Sequence, residues 1–206
     1  MDFKTWEPYY LEICEYFGLD RAADEGAARI LASLLPCDNL LSLASLTDGN
    51  PVTVCGNAPC LKDEIGKIAG IVFAADAAAE VLDRNGICPD AIFTDLDGTT
   101  DRFAELNREG TIIVIHAHGD NIPLLQHWVP RFRGRVVGTT QAAPLPHVYN
   151  FGGFTDGDRA AFAADELGAS AISLAGFDLD DRNVDPMKRG KLVWARKLLA
   201  VLGLKA

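Results

Sequence analysis

The sequence predicts an α/β protein, a largely parallel sheet covered by helices on both faces and preceded by a helical N-terminal segment. Three observations predict it. Short apolar, β-branched runs recur from residue 51 onward, stretches of helical length separate most of them, and polar residues collect just past the runs' C-terminal ends. Residues 1–50 read as helical. Asp20 can cap a helix running through RAADEGAARILASLL, with Ile30, Leu31, Leu34 and Leu35 on one face and Pro36 after it. From Pro51 the expected strands are VTVC (52–55), GIVFA (70–74), AIFT (91–94), TIIVI (111–115), RVVGT (135–139) and AISLA (171–175). The expected helices between them are 76–86, 101–110, 121–129 and 156–168, and the last is 191–204. The polar stretch DLDDRNVDPMKRG before that last helix is read as a mobile lid. The chain thus divides into a helical segment, 1–50, and an α/β domain, 51–206.

The bulk numbers narrow the function. The 206 residues are 49% apolar and 23% charged, ordinary for a globular protein with a sizeable core. No apolar run approaches the roughly 20 residues of a membrane span. The acidic, aromatic start MDFKTWEPYYLEICEYFGLD is unlike a secretory signal, so a cytoplasmic protein is expected. The five scattered cysteines lack C-x-x-C spacing and are read as reduced thiols, mostly buried. A net charge of −10 argues against nonspecific nucleic-acid binding. A phosphorylated small molecule would then need local positive charge from metal ions or a few placed cations.

Ligands of such sheets sit beyond the C-terminal strand ends. There this chain places Gly56 and Asn57, Asp76, Asp95 and Asp97, His116 through Asn121, Thr140 and Gln141, and Gly176 through Asp178. Asp76, Asp95, Asp97, Asp120 and Asp178 gather on one rim, and so many like charges call for cations. An oxygen-rich set without Cys suits Mg²⁺ or Mn²⁺. Alternate residues of a strand point one way, so D-x-D spacing is expected to aim Asp95 and Asp97 together. Asp76, Asp101 and Asp156 also fit plain helix N-caps, and Asp101 and Asp156 are read that way. His116 and His118 are site candidates, whereas His127 and His147 read as structural or exposed.

FTDLDGTT (93–100) resembles the opening motif of haloacid dehalogenase-type phosphatases, where the first Asp attacks phosphorus. That resemblance implies a later Ser/Thr, then Lys, then an acidic pair. Thr139 or Thr140 and Asp178 or Asp180 could serve, but no lysine lies between Lys67 and Lys188. A stronger resemblance covers about 50–180, through PDAIFTDLDG, IVIHAHGDN, GTTQ, YNFGGFTDGDRAAFAADELGA and LAGFDLD. These residues resemble the archaeal 6-hydroxymethyl-7,8-dihydropterin pyrophosphokinases, themselves distantly similar to thiamine pyrophosphokinases. The resemblance implies a Rossmann-like three-layer catalytic domain. It also implies transfer of diphosphate from ATP to the pterin hydroxymethyl group with Mg²⁺, leaving AMP, in tetrahydromethanopterin or folate synthesis. Compared with the thiamine enzymes, Ala77 replaces Gly after Asp76 and Gly98 replaces Ser after Asp97.

Under that reading Asp95 and Asp97 hold Mg²⁺, with Asp76 or Asp120 completing a second site. Asp120 is the first candidate to accept the hydroxyl proton, and His116 or His118 is the competing base. Arg159, Lys188, Arg189 and Lys191 are the phosphate-contact candidates. Asn150, Phe151, Phe154, Gln141 and Asp178 are the pterin-side candidates. Gly56 and Asn57 lie on the nucleotide side, and Asn121 is a further ligand-binding candidate. The expected partners are ATP and a reduced pterin, with a homo-oligomer formed through the N-terminal helices as an open alternative. A Mg²⁺-dependent phosphatase, an enzyme similar to the thiamine pyrophosphokinases with another acceptor, and a ligand-binding module without turnover remain the competing functions.

Overall fold

The computed structural model describes residues 1–205. Helices α1 (Phe3–Phe17), α2 (Arg21–Leu34) and α3 (Leu40–Thr47) precede β1 (Pro51–Cys55). Then come α4 (Leu61–Glu64), β2 (Ile71–Ala75), α5 (Ala78–Arg84), β3 (Ala91–Thr94), α6 (Asp101–Glu109) and β4 (Ile112–Ala117). They are followed by α7 (Ile122–Trp128), β5 (Val136–Thr140), β6 (Val148–Tyr149), α8 (Asp156–Glu166), β7 (Ala171–Ala175) and α9 (Pro186–Val201). Among the described residues, seven strands form one sheet in the order β6-β5-β4-β3-β2-β1-β7. Every neighbouring pair of strands is parallel.

Strand pleating splits each apolar run between two cores. Ile92, Ile113 and Ile115 pack with Ala27, Ala28 and Leu31 of α2, Leu82 of α5, Phe103 of α6 and Leu125 of α7. Phe73, Phe93 and Val114 pack on the other face with Trp6, Tyr10 and Ile13 of α1, Leu43 of α3, Phe162 of α8 and Leu198 of α9. Strands buried on both faces must be apolar throughout, which is why β3 and β4 read as unbroken runs. The N-terminal helices contribute to both cores, so residues 1–47 are integral to the packing.

Winding from β1 through β5 proceeds in one direction. α8 then crosses back over β1, β2 and β3, and β7 pairs on the far side of β1. Its run Ala160, Ala161, Ala163 and Ala164 is buried, small enough to bring the helix close to the sheet. The winding reverses at β1, where the C-terminal ends of β1 and β7 meet tightly. A Cβ on Gly56 would come within 2.6 Å of the Gly176 carbonyl oxygen.

Two differences from the sequence expectation have local causes. β6 is only two residues long, too short for a periodic signal. α9 starts at Pro186, five residues before 191, because Asp185 caps it by accepting from the Lys188 N–H and Pro186 takes the first turn. Lys188, Arg189 and Lys191 therefore stand on a helix, and only the first part of the 178–190 stretch is loop. The five cysteines are all free; Cys14 and Cys55 are buried, Cys37 and Cys88 exposed and Cys60 in between. Among the described residues, no helix is long and apolar enough to cross a membrane.

Candidate active site

The site is built at the C-terminal ends of β2, β3 and β4 and the N-terminus of α8. β3 stops at Thr94, so Asp95 and Asp97 lie on a turn and not on the strand. What pairs them is local: Leu96 takes a left-handed φ of 76° and the Asp97 N–H donates to Asp95 Oδ1 at 3.2 Å. Pleat alternation predicts the pairing, but an Asx turn produces it. Leu96 is buried, which anchors the turn.

Asp76 follows β2 with φ 45°, and its N–H donates to the Phe93 carbonyl at 2.8 Å. Its Oδ1 accepts from the Thr94 hydroxyl at 2.8 Å. Gly98 faces this carboxylate: a Cβ there would run into Asp76 Oδ2. That explains why the position after Asp97 carries no side chain. Burial, with the Asp97 and Asp95 charges adding, pushes Asp76 above the ordinary carboxylate range despite the Thr94 bond. Asp97 is likewise raised by burial and by Asp95, with Lys191 opposing. Asp95 goes the other way. Burial acts to raise it, but the His118 ring, the Asp97 N–H and the Arg159 charge hold it low. Asp95 thus keeps the negative charge of the D-x-D pair.

The β4 end supplies the opposite wall. His118 Nε2 stands 3.6 Å from Asp95 Oδ2. Asn121, buried, donates to the carbonyls of Asp95 and His116, each at 2.7 Å, and accepts from the His118 N–H at 3.1 Å. It ties the two loops together. His116 is buried with Nδ1 3.2 Å from Thr139 Oγ, which itself donates to the Ile115 carbonyl. The imidazole proton therefore sits on Nδ1. Burial, followed by the Arg159 charge, holds His116 well below its ordinary value, so the ring is neutral. Its Nε2 has no partner among the described residues.

α8 contributes two residues that matter most in what they do to each other. Thr155 is the N-cap and forms a reciprocal box with Asp158. That frees Asp156, whose Oδ1 accepts from Arg159 Nη1 at 2.9 Å, while Arg159 Nη2 donates to the Phe154 carbonyl at 2.8 Å. The Arg159 side chain is 5% exposed and its Nε has no partner among the described residues. Burial pushes Asp156 well above the usual range; Arg159 opposes, and Asp95, Asp76 and Asp97 add to the rise. Asp156 is therefore no cap, as its sequence position suggested, but a member of the acidic cluster. Its signal lay in T-x-x-D, which assigns the cap to Thr155 and leaves Asp156 over. Asp101 also yields its cap position, to Thr100.

The other sequence candidates fall into two groups. Asp120, Asn57, Asp178 and Lys188 are exposed. Gln141, Asn150, Phe151 and Phe154 are built into the walls. Gln141 donates to Asp24 at 2.7 Å. Asn150 donates to the carbonyls of Gln141 and Ala142. Phe151 is buried beside Tyr149, and Phe154 packs on Phe17 with ring centroids 5.0 Å apart. Phe177, placed at a strand end by the sequence but not among the pterin-side candidates, is half-buried against Gly56 and Gly157. A Cβ on Gly157 would come within 2.8 Å of that ring, so the glycine leaves room for it.

Among the described residues, no three His, Cys, Asp or Glu side chains are already arranged to enclose a metal ion. The donor chemistry nevertheless fits Mg²⁺. Asp76 and Asp97 are raised partly by the neighbouring carboxylates, a demand that a hard cation answers, and Mg²⁺ takes only one or two carboxylates beside phosphate and water.

Comparison with known proteins decides the family. Residues 31–184 match the family model described as "MptE-like: 6-hydroxymethylpterin diphosphokinase MptE-like". The chain belongs to this family. Three curated relatives carry the name 6-hydroxymethyl-7,8-dihydropterin pyrophosphokinase. The Methanothermobacter thermautotrophicus protein is 36% identical, over 97% of this chain and 94% of its own. The Methanocaldococcus jannaschii protein is 38% identical over 86% and 80%, and that of Pyrococcus furiosus 42% over 86% and 78%. Among solved structures, the MAf glycosyltransferase of Magnetospirillum magneticum covers 71% of this chain and 28% of its own at 21% identity, with a TM-score of 0.42. MptE-like membership does not favour the phosphatase reading of FTDLDGTT.

One stability consequence follows from Asp156. A carboxyl whose folded value is raised contributes its full stability below its unfolded value, and that stability is lost as pH rises through the folded value. Asp156→Asn should therefore gain in melting temperature over the parent at pH 8, the gain shrinking toward pH 4, while activity falls. Paired melting curves across that range check it; a gain that grows on acidification contradicts the assignment.

Proposed function

We propose that the chain transfers the terminal diphosphate of ATP to the hydroxymethyl oxygen of 6-hydroxymethyl-7,8-dihydropterin, releasing AMP. The reading rests on one observation: Asp76, Asp95, Asp97 and Asp156 converge with buried Arg159 at strand ends, in a chain 36–42% identical to relatives named for this reaction. The pterin oxygen forms a bond to the β-phosphorus, the bond from that phosphorus to the oxygen bridging to the α-phosphorus breaks, and AMP leaves with the electron pair.

Asp95 and Asp97, with Asp76 beside them, would hold Mg²⁺. When bound, Mg²⁺ supplies charge neutralisation to the phosphate chain. The protein's own share is positioning and electrostatics. Asp95 fixes a negative charge at a defined place, and His118 and Asn121 fix Asp95. Arg159 presents positive charge from the protein side, with Lys191 acting on Asp97 from α9. Asp120, exposed beside His118, takes the hydroxyl proton; His118 is the competing acceptor. Phe177 offers the flat apolar face for the pterin, and the adjacent Asp178 accepts from its donor-rich edge. Diphosphate on the hydroxymethyl carbon makes it a good electrophile for building a pterin cofactor, of the tetrahydromethanopterin or folate type. Dependence on ATP fits a cytoplasmic enzyme.

The test is incubation with ATP, Mg²⁺ and the reduced hydroxymethylpterin, with AMP and ADP separated. AMP and pterin diphosphate should form in equal amounts. ADP, or inorganic phosphate without an acceptor product, would overturn the proposal.

A further inference from the structure

We infer that Asp24, on α2, is a positioning residue for diphosphoryl transfer, which makes the N-terminal helices part of the working site. The inference rests on the function proposed above. Asp24 is 3% exposed, and it lies outside the residues 31–184 that the family model matches. Its carboxylate accepts three hydrogen bonds from three separate places. Tyr10 of α1 donates its hydroxyl to Oδ2 at 2.7 Å. Gln141, just past β5, donates Nε2 to the same oxygen at 2.7 Å. Gly119, on the loop after β4, donates its N–H to Oδ1 at 2.8 Å.

The Gly119 tie leads directly into the site. Gly119 lies between His118, which faces Asp95, and Asp120, the proposed proton acceptor. The same loop carries Asn121, which grips the Asp95 carbonyl. Gly119 is also pressed onto α2: a Cβ there would come within 2.6 Å of Ala23 Cβ. On the β5 side, Trp6 Nε1 donates to the Gln141 carbonyl at 2.8 Å, so α1 and α2 hold that residue by both main chain and side chain. Helix packing alone gives no reason for a carboxylate here. A buried acid surrounded by neutral donors stabilises no better than an apolar residue of similar size. What a carboxylate does, and a leucine cannot, is fix two loops at hydrogen-bond precision. Placement errors near 1 Å can cost about 10²-fold in rate.

Three variants test this: Asp24→Ala, Asp24→Asn and Tyr10→Phe. Each is assayed for kcat and KM toward both substrates, per active site, well below its melting temperature. Asp24→Asn can still accept from Gly119 and, if the Gln141 amide turns over, pair with Gln141. The expected order is therefore a loss in kcat of about 10²-fold for Asp24→Ala and about tenfold for Asp24→Asn, with the ATP KM within about threefold of the parent. Tyr10→Phe removes one donor of three and keeps the ring, so it serves if Asp24→Ala does not fold; a fall of about threefold is expected. A purely structural role would lower the melting temperature and the active fraction but leave kcat per active site unchanged. Unchanged kcat in folded Asp24→Asn and Tyr10→Phe overturns the inference. If the parent itself makes no pterin diphosphate, it is the proposed function that fails.

Discussion

Asp95→Asn is expected to lower kcat for AMP formation by about 10³-fold or more, with the fold retained. Asp95 is the carboxylate that stays charged: the His118 ring, the Asp97 N–H and Arg159 together outweigh its burial. Asparagine is isosteric and can still accept from the Asp97 N–H, so the Asx turn survives. What disappears is the fixed negative charge that would hold Mg²⁺ against the phosphate chain. Losing such an interaction costs roughly 4 kcal/mol of transition-state stabilisation, which is about 10³ in rate. Stability should respond with a definite sign. A carboxyl with a depressed folded value contributes stability above its unfolded value of 3.8, and that contribution is lost as pH falls. The variant should melt slightly below the parent at pH 7, and the deficit should close on acidification. Single-turnover AMP formation and paired melts check both halves. A kcat within tenfold of the parent would remove Asp95 from the mechanism.

The sheet was legible because its central strands are buried on both faces. AIFT and IIVIHA have no polar alternation to confuse with a helix, and Asp20 and Pro36 bracket α2 cleanly. The carboxylates at the ends of β2 and β3 were legible for a related reason: strand ends announce themselves where an apolar run stops. Asp156 was harder, since a strand-to-helix Asp reads as a cap; only the box between Thr155 and Asp158 releases it. Phe151 and Phe154 looked available in YNFGGF, yet α1 covers that loop and takes Phe154 onto Phe17, a contact across more than a hundred residues that no local pattern encodes. Asp24 is invisible for the same reason. In RAADEGAARI it is one more helical acid, and its role exists only because the fold brings Gly119 and Gln141 to it.

Arg159→Met should damage both stability and turnover, and the comparison with Arg159→Lys separates the two. The guanidinium lies 5% exposed and spans two partners, Asp156 Oδ1 and the Phe154 carbonyl. Its charge also depresses Asp95 and helps keep His116 neutral. Methionine fills much of the volume but leaves Asp156, 17% exposed, among three carboxylates without a cation. Breaking such a pair from one side costs about 3–5 kcal/mol, less here because burial already works against the Asp156 charge. Lysine restores the charge but not the planar fork, so it reaches one partner and not both. Arg159→Lys should therefore recover most of the melting temperature and little of the rate, remaining about tenfold or more below the parent, while Arg159→Met falls by about 10²-fold or more. If lysine restores rate and stability together, Arg159 serves only to neutralise Asp156 and makes no directed contact with phosphate. If methionine keeps more than a tenth of the parent's kcat, the positive charge at the head of α8 has no part in the transfer.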